Sequence, residues 1–254
     1  MVSFTTGTAV VTGGGSGIGR TTAQTFADRG ANVVIADLDA EDGEEVVAEI
    51  IDAGGDAMFV ETDVTDPDAA AAMVDTAVDE YGSLDFAFNN AGIGGAQAPV
   101  SEYDPEDWRA VIDVNLVGVF NCMHAELEQM QSQDDGGVIV NNSSVLGKVG
   151  FATSSGYSAA KHGVLGLTKS AALENGETGV RINAVCPGFI ETPLLEEGGI
   201  TSDPEMRELI ESRHAMNRLG TTDEVAAAVV WLCNDEASFV TGEALGVEGG
   251  YLSQ

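Results

Sequence analysis

Basic residues are scarce in this chain of 254 residues, which has 10 Lys plus Arg against 42 Asp plus Glu and a formal net charge of −32. Proteins use Lys and Arg to bind phosphate backbones and anionic membrane surfaces, so the sequence predicts neither nucleic-acid binding nor membrane docking. This net negative charge is far larger than the net charge of about 2 to 8 that serves solubility in a small domain. Salt screens such self-repulsion, because the Debye length falls to about 3 Å at 1 M. We therefore expect a protein that works in high salt.

Cysteine is also scarce, and long apolar runs are missing. Cys122, Cys186 and Cys233 are widely separated, and the three histidines are scattered. This spacing predicts free, buried thiols in a reducing compartment and no metal site. The longest apolar run, residues 226–233, is far shorter than the ~20 residues of a membrane span, and the N-terminus lacks the basic region of a signal peptide. We expect a soluble, cytoplasmic protein.

The sequence does supply enough apolar residues for a core, at 44% hydrophobic composition and a mean hydropathy of +0.06. Short β-branched runs alternate with amphipathic stretches, which is typical of βαβ units. Predicted strands are 8–12, 32–37, 57–61, 86–89, 137–142, 180–186 and 244–247. Predicted helices are 17–29, 40–53, 67–81, 105–131, 157–175, 204–216 and 222–234. We expect one α/β domain over residues 1–254, with a doubly wound parallel sheet of about seven strands between helices.

A glycine-rich turn follows the first predicted strand directly. Residues 12–19 read Thr-Gly-Gly-Gly-Ser-Gly-Ile-Gly, and an amphipathic helix begins within them. Glycines at such a junction let the backbone approach a pyrophosphate, whose charge is stabilised by N–H groups at the helix N-terminus. The turn lacks the Gly-Lys-Ser/Thr ending of a P-loop, which disfavours an ATPase. The cofactor-binding residues predicted here are Gly13, Ser16, Gly17, Ile18 and Gly19.

An acidic residue ends the second predicted strand: Asp37 lies eighteen residues after Gly19. A carboxylate at that place accepts hydrogen bonds from the ribose hydroxyls of adenosine and repels a 2′-phosphate. Asp39 adds negative charge, and no Lys or Arg occurs between Arg29 and Arg109 to hold a phosphate. The sequence therefore predicts NAD as the cofactor rather than NADP.

Further motifs complete this pattern. Asn-Asn-Ala-Gly occupies residues 89–92, Ser144 lies thirteen residues before the Tyr157-Ser-Ala-Ala-Lys161 motif, and Pro-Gly stands at 187–188. With the glycine-rich turn, these motifs resemble the classical short-chain dehydrogenase/reductase family over essentially the whole chain. The resemblance implies a Rossmann fold with the catalytic residues Asn115, Ser144, Tyr157 and Lys161. It places Asn89 beside the adenosine ribose and implies cofactor contacts from Asp63, Val64, Asn90, Ala91, Gly92, Tyr157, Lys161, Pro187, Gly188, Ile190 and Thr192.

The chemistry of the predicted site follows from its residue types. Tyr157 and Lys161 are four residues apart on a predicted helix and share one face. A phenol with a pKa near 10 is a poor base, and we expect the neighbouring ammonium to lower that pKa and make Tyr157 the acid/base. Ser144, selected over Ser143 by its spacing, would donate to the substrate oxygen as charge develops there. The resemblance implies that Asn115 interrupts its helix and holds a water that links Lys161 to solvent.

The predicted substrate wall carries little charge, which suits a secondary alcohol or ketone better than a sugar or an acyl-phosphopantetheine. It comprises residues 94–98 with Leu146, Phe151, Phe189, Leu194 and Leu195, and the aperiodic residues 188–203 form a candidate lid. The motifs resemble cyclic alcohol and levodione-type dehydrogenases of the family. The alternatives are a 3-oxoacyl carrier-protein reductase, a sugar dehydrogenase such as glucose 1-dehydrogenase, or a redox-sensing protein that binds NAD(H). Both Tyr157 and Lys161 are present, which favours an enzyme.

Assembly and habitat are also implied by resemblance. In the family, the helices that contain Asn115 and Tyr157 and the C-terminal strand commonly form the two-fold interfaces of a homotetramer. The acidic composition with three lysines resembles proteins of haloarchaea and other organisms that accumulate salt. We therefore expect a salt-dependent tetramer whose partner is a small-molecule alcohol or ketone.

Overall fold

The core of the fold is a parallel β-sheet. In the computed structural model, which describes residues 4–199 and 201–253, the sheet has seven strands in the order β3-β2-β1-β4-β5-β6-β7, and all neighbours are parallel. Strands β1 and β5 are wholly buried, as expected where helices cover both faces of a sheet. The strands are β1 (Thr8–Thr12), β2 (Asn32–Asp37), β3 (Asp56–Glu61), β4 (Phe86–Asn89), β5 (Gly137–Asn142), β6 (Val180–Pro187) and β7 (Ala244–Val247).

Helices pack on both faces of the sheet. They are α1 (Gly17–Asp28), α2 (Ala40–Asp52), α3 (Pro67–Tyr81), α4 (Pro105–Ile112), α5 (Val119–Ser132), α6 (Ser155–Asn175), α7 (Pro193–Glu197), α8 (Pro204–Ser212) and α9 (Thr222–Cys233). One apolar cluster joins α1, α2 and α9 to the sheet, and a second cluster joins α3, α5 and α6 to it. Asp39, Asp66 and Asp104 cap α2, α3 and α4 by accepting hydrogen bonds from N–H groups of the first turn.

The predicted α/β fold with a seven-stranded parallel sheet is confirmed. The boundary differences are small in the strands: β3 begins one residue earlier than predicted, and β6 extends to Pro187. The predicted helix 105–131 is divided into α4 and α5 by a π-helical turn, Asp113–Gly118, and α6 begins two residues early at Ser155. Helix α8 ends at Ser212, four residues before its predicted end, and Asn217 in the following turn has a φ of +56°.

The predicted lid, residues 188–203, contains the short helix α7. Five residues make little more than one turn, so no helical period is visible in the sequence. Thr192 caps this helix by accepting a hydrogen bond from the Leu195 N–H. Within the predicted lid, Ile200 lies outside the described residues.

One stretch of helix, Pro105–Ser132, is long and apolar enough to cross a membrane by length and composition alone. Half of its most apolar window is buried inside the fold, and a core helix of a soluble protein meets the same criteria. In the part of the chain that the structure describes, it is weak evidence for a membrane span. The three cysteines are free and buried, as the sequence predicts.

Candidate active site

A cavity of about 750 Å³ opens at the carboxyl ends of the strands, where the strand order reverses between β1 and β4. Open α/β sheets bind ligands at this place, and small-molecule pockets measure about 300–1,000 Å³. Two of the predicted site residues, Gly19 and Asn115, are not among the residues that line this cavity. The other predicted site residues line the cavity: Gly13, Ser16, Gly17, Ile18, Asp37, Asp63, Val64, Asn90, Ala91, Gly92, Ser144, Tyr157, Lys161, Pro187, Gly188, Ile190 and Thr192.

The turn between β1 and α1 depends on three glycines. Gly13 and Gly17 have φ angles of +61° and +51°, which L side chains rarely adopt. A Cβ on Gly19 would lie 2.0 Å from the carbonyl oxygen of Gly13, so helix α1 packs directly against the turn. Asn90 donates hydrogen bonds from Nδ2 to the carbonyl oxygens of Thr12 and Gly13, at 3.1 and 2.9 Å. The predicted residues Gly19 and Asn90 therefore hold the turn in shape, Gly19 by close packing and Asn90 by its two hydrogen bonds.

The N-terminus of α1 is suited to an anion. Ser16 occupies the N-cap, but its side chain makes no capping hydrogen bond within the described residues. The first turn of this helix also has no acidic residue, whereas the first turns of α2, α3 and α4 do. Uncapped N–H groups and the positive end of the helix dipole then face the cavity beside Ser16, Gly17 and Ile18. This arrangement fits the pyrophosphate of a dinucleotide.

Asp37 stands where the adenosine of that dinucleotide would lie. Its Oδ2 accepts a hydrogen bond from the Gly15 N–H at 2.9 Å, and its Oδ1 accepts one from the Asp39 N–H at 3.2 Å. Asp63 also lines this end of the cavity, and no Lys or Arg among the described residues does so. A fixed carboxylate without a nearby cation fits a ribose with a free 2′-hydroxyl and disfavours a 2′-phosphate.

Ser144 and Tyr157 meet in the middle of the cavity. Ser144 follows strand β5, and its Oγ accepts a hydrogen bond from the Leu146 N–H at 3.1 Å. The hydroxyl of Ser144 also interacts with the phenol of Tyr157, in the first turn of α6. Burial raises the pKa of Tyr157 to about 12, and the interaction with Ser144 offsets part of that rise. The phenol is therefore protonated at neutral pH and is suited to donate its proton.

Lys161 lies beneath the ring of Tyr157. It is 2% exposed, its Nζ is 5.5 Å from the ring centroid, and Nζ donates a 2.7 Å hydrogen bond to the carbonyl oxygen of Asn142. Burial lowers the pKa of Lys161 to about 8. The expectation that this ammonium gives Tyr157 a lowered pKa is wrong for this arrangement. Burial of the phenol sets the direction of the change in its pKa, and the ammonium is hydrogen-bonded to a backbone carbonyl.

Asn115 lies in the π-helical turn between α4 and α5, so the helix is interrupted at this residue. Its buried amide makes two hydrogen bonds with Ile93: Oδ1 accepts from the N–H at 2.8 Å, and Nδ2 donates to the carbonyl oxygen at 2.7 Å. A Cβ on Gly92 would lie 2.8 Å from Asn115 Oδ1. Asn115 therefore holds residues 92–93 at the cavity wall, and its water link to Lys161 stays a prediction.

Ser143 has contacts that differ from those of Ser144. Its Oγ donates to the carbonyl oxygen of Lys161 at 2.9 Å, and its N–H donates to the carbonyl oxygen of Val185 at 2.9 Å. Both groups of Ser143 thus tie β5 to its neighbours. Ser144 is the serine whose hydroxyl interacts with the phenol of Tyr157, in agreement with the thirteen-residue spacing.

An apolar wall closes the far end of the cavity. It includes all five side chains predicted for it, namely Leu146, Phe151, Phe189, Leu194 and Leu195. The ring of Phe189 packs against the rings of Phe151 and Tyr251, with centroids 5.9 and 5.6 Å apart. Helix α7 covers this end, because Gln97 Nε2 donates a 3.3 Å hydrogen bond to the carbonyl oxygen of Gly198.

Several lining residues were not predicted from the sequence, among them Asn142 and Leu38, and one predicted residue was misplaced. Asn142 acts through its backbone carbonyl, for which a sequence carries no signal. Leu38 lines the adenosine end and is 64% exposed; an apolar residue directly after Asp37 was the available signal. Asn89 does not line the cavity beside the ribose: its Nδ2 donates to Glu126 Oε2 at 2.9 Å, in a buried polar cluster behind the sheet end.

No group of three or more His, Cys, Asp or Glu side chains that could hold a metal ion occurs in residues 4–199 and 201–253. Ser144, Tyr157 and Lys161 line the cavity and supply groups suited to acid/base chemistry. The arrangement can position an oxygen atom against Ser144 and Tyr157 and exchange a proton with it.

Comparisons with known proteins agree with this geometry. A family model described as enoyl-(acyl carrier protein) reductase matches residues 13–252. Over 251 residues the chain is 48% identical to cis-4-hydroxycyclohexanecarboxylate dehydrogenase of Sinomonas cyclohexanicum, covering 99% of this chain and 98% of the relative. It is 45% identical over 251 residues to cyclohexanol dehydrogenase of Acinetobacter sp. (strain SE19), covering 99% and 97%. A crystal structure of NAD+-bound xylitol dehydrogenase aligns with a TM-score of 0.94 at 32% identity, covering 98% of this chain and 100% of that chain.

Proposed function

Since the chain belongs to the classical short-chain dehydrogenase/reductase family, a family of oxidoreductases, we propose that it interconverts a cyclic secondary alcohol and its ketone with NAD. One observation carries this proposal: Ser144 and Tyr157 interact in the same cavity that the glycine-rich turn and the apolar wall line. An oxygen atom held at this pair would lie within that cavity.

Each residue of the pair has a distinct task in the proposed reaction. NAD, when bound, supplies or accepts the hydride. Ser144 donates a hydrogen bond to the substrate oxygen. In ketone reduction Tyr157 gives its proton to that oxygen, and in alcohol oxidation the phenolate of Tyr157, formed once the phenol has released its proton, takes the hydroxyl proton. Lys161 is positively charged below about pH 8 and stabilises the phenolate left after donation. Asn115 positions residues 92–93 and is proposed to hold the water that resupplies the proton.

We propose NAD(H) rather than NADP(H) because Asp37 is fixed at the adenosine end without a cation beside it. The NAD+-bound structural relative supports the same choice. The whole chain would then be a single NAD-binding unit. The residues proposed to hold the pyrophosphate are Gly13, Ser16, Gly17 and Ile18, with Gly19 packing behind them. Those proposed for the nucleosides are Asp63, Val64, Asn90, Ala91 and Gly92, and those for the nicotinamide are Tyr157, Lys161, Pro187, Gly188, Ile190 and Thr192.

The apolar wall supports a hydrocarbon ring as the body of the substrate. Side chains such as Leu146, Phe151 and Phe189 offer no hydrogen-bonding groups to the hydroxyls of a sugar. The relatives named for a cyclohexane-ring alcohol support the same class. A carrier-protein reductase and a sugar dehydrogenase are therefore less well supported. Retention of both Tyr157 and Lys161 supports an enzyme over a redox-sensing protein.

We also propose a homotetramer that works in the salt-rich cytoplasm of its cell. Apolar side chains on α5 and α6 are exposed in the single chain, including Phe120 at 51% and Leu173 at 87%. Burial of these side chains between copies would stabilise subunits that repel each other by charge, and salt would screen that repulsion. The mass in solution is expected to be that of four 26.2 kDa chains in concentrated KCl.

A substrate panel tests the proposed reaction. Cyclohexanol, cyclohexanone, a linear secondary alcohol and glucose would be assayed with NAD(H) and NADP(H) in about 2 M KCl, where charge repulsion is screened. The expected result is the highest kcat/KM for the ring compounds with NAD(H). Preference for glucose would favour the sugar dehydrogenase. Tight NADH binding without turnover of any compound would favour the redox-sensing protein.

A further inference from the structure

We infer that this site selects uncharged ring substrates and that Glu197 helps to exclude rings that carry a carboxylate. The inference rests on the proposed function, since it concerns the substrate end of the same cavity. Four charged side chains line the cavity among the described residues: Asp37, Asp63, Lys161 and Glu197. Two of them are acids at the adenosine end, which leaves Lys161 and Glu197 near the substrate.

Lys161 is not placed to bind a substrate carboxylate. Its ammonium is buried, is hydrogen-bonded to the Asn142 carbonyl at 2.7 Å and lies 5.5 Å from the centroid of the Tyr157 ring. A carboxylate drawn to it would displace the reacting oxygen from Ser144 and Tyr157. The one basic side chain of the lining is therefore committed to the proton chemistry.

Glu197 is the last residue of α7 and contributes an exposed carboxylate to the rim of the substrate end. The adjacent carbonyl of Gly198 is held by Gln97, which fixes the end of the helix over the cavity. In the same segment Glu191 is paired with Arg207. No ion pair of Glu197 occurs in the described part of the chain, so its charge is uncompensated.

A substrate carboxylate would meet two penalties in this cavity. Its transfer from water to a wall of leucine and phenylalanine side chains is unfavourable unless a cation or several donors replace the lost hydration. The charge of Glu197 then adds repulsion at the rim, where salt screens it only in part at contact distance. An uncharged ring meets neither penalty and gains from burial of its apolar surface.

Two ligands of almost the same shape isolate the effect of charge. Cyclohexanecarboxamide and cyclohexanecarboxylate both lack a hydroxyl that can be oxidised, so their binding to the protein with NAD present is measured without turnover. Calorimetry at the lowest KCl concentration that keeps the chain folded is expected to give at least about tenfold tighter binding of the carboxamide. Equal binding, or tighter binding of the carboxylate, would overturn the inference.

Variants assign the effect to Glu197. Glu197→Arg places a cation at the rim and is expected to reduce the carboxamide preference by about fivefold or more. Glu196→Arg changes the net charge equally on the same helix, but residue 196 does not line the cavity, and the preference should stay within about twofold. Circular dichroism of each variant checks that it is folded. Equal responses of the two variants would show a general charge effect and overturn the role of Glu197.

Turnover separates this inference from the proposed function. The protein is expected to oxidise cyclohexanol with a kcat/KM at least about tenfold above that for cis-4-hydroxycyclohexanecarboxylate, and Glu197→Arg should narrow this ratio. If neither alcohol is oxidised while the carboxamide still binds selectively, the proposed function fails and the charge selectivity stands. If both alcohols are oxidised equally well, the proposed function stands and the inference is overturned.

Discussion

The side-chain amide of Asn89 donates a 2.9 Å hydrogen bond to Oε2 of Glu126, a carboxyl that is completely buried on α5. The other carboxyl oxygen, Oε1, has no hydrogen-bond partner in the described residues. Burial raises the pKa of Glu126 to about 8. Glu126 is therefore largely protonated at neutral pH and contributes little to the acidic charge of the chain.

This burial links stability to pH. Between about pH 4.5 and 8 the folded chain keeps the Glu126 proton while the unfolded chain has released it, so the free energy of unfolding falls across this window. Glu126→Gln cannot ionise and should remove that loss, raising the free energy of unfolding at about pH 8.5 by on the order of 2 kcal/mol. The gain should shrink toward about pH 5, and denaturant titrations at three pH values measure it.

A matched variant controls for the loss of one charge from a very acidic chain. Glu128 lies on the same helix with its side chain 75% exposed, so Glu128→Gln removes a carboxylate without a change in the core. Its stability is expected to change by less than about 0.5 kcal/mol at each pH. Identical pH profiles for the two variants would contradict the assignment to Glu126.

Cofactor choice is predicted to depend on the carboxylate of Asp37. Asp37→Asn keeps an acceptor for the Gly15 N–H but removes the negative charge and one acceptor for the ribose. The ratio of kcat/KM with NAD to that with NADP should fall by at least about tenfold, the effect of one charge-assisted hydrogen bond. Glu41→Gln removes a charge on α2 outside the cavity and should leave the ratio unchanged. A wild-type ratio in Asp37→Asn would contradict the role of Asp37.

Salt is predicted to stabilise the chain despite its surface ion pairs. Arg20 is paired with Glu45 and Glu49 on the surface, and salt weakens such pairs, each of which contributes about 0–1 kcal/mol. Repulsion among 42 acidic residues opposed by 10 basic ones is the larger effect, so screening should raise the thermal midpoint between about 0.1 and 2 M KCl. A chain that is fully folded and active at about 20 mM salt and inactive at about 2 M would contradict this prediction.

The glycine-rich turn and the strand ends could be predicted from the sequence because each reflects local geometry, whereas the thirteen-residue spacing that selects Ser144 rests on the family resemblance. Glycine permits the φ of +61° at Gly13, and β-branched runs mark the buried strands. Residues at the carboxyl ends of parallel strands share one edge of the sheet, so Asp37 and Ser144, each predicted at the end of a strand, lie at the same edge.

Effects that depend on burial could not be predicted from the sequence. The i, i+4 spacing correctly brought Tyr157 and Lys161 together, but the sign of the change in the Tyr157 pKa depends on desolvation by distant parts of the chain. In the same way, Glu126 has an ordinary helical context in sequence and becomes a buried acid only when α5 packs on the sheet. Asn89 was misplaced because side chains alternate between the two faces of a sheet, and the sequence does not show toward which face Asn89 points.

The central claim is that Tyr157 exchanges the proton in NAD-dependent oxidation of a ring alcohol. Its most direct test compares Tyr157→Phe with Tyr81→Phe, which removes the same hydroxyl from α3, where it is hydrogen-bonded to Asp56 outside the cavity. NADH formation from cyclohexanol and NADH binding by fluorescence would be measured for both in about 2 M KCl. Tyr157→Phe is predicted to lose at least about 100-fold in kcat/KM while binding NADH within about twofold of wild type, and Tyr81→Phe to lose little. Oxidation of cyclohexanol by Tyr157→Phe at the wild-type rate would contradict the claim.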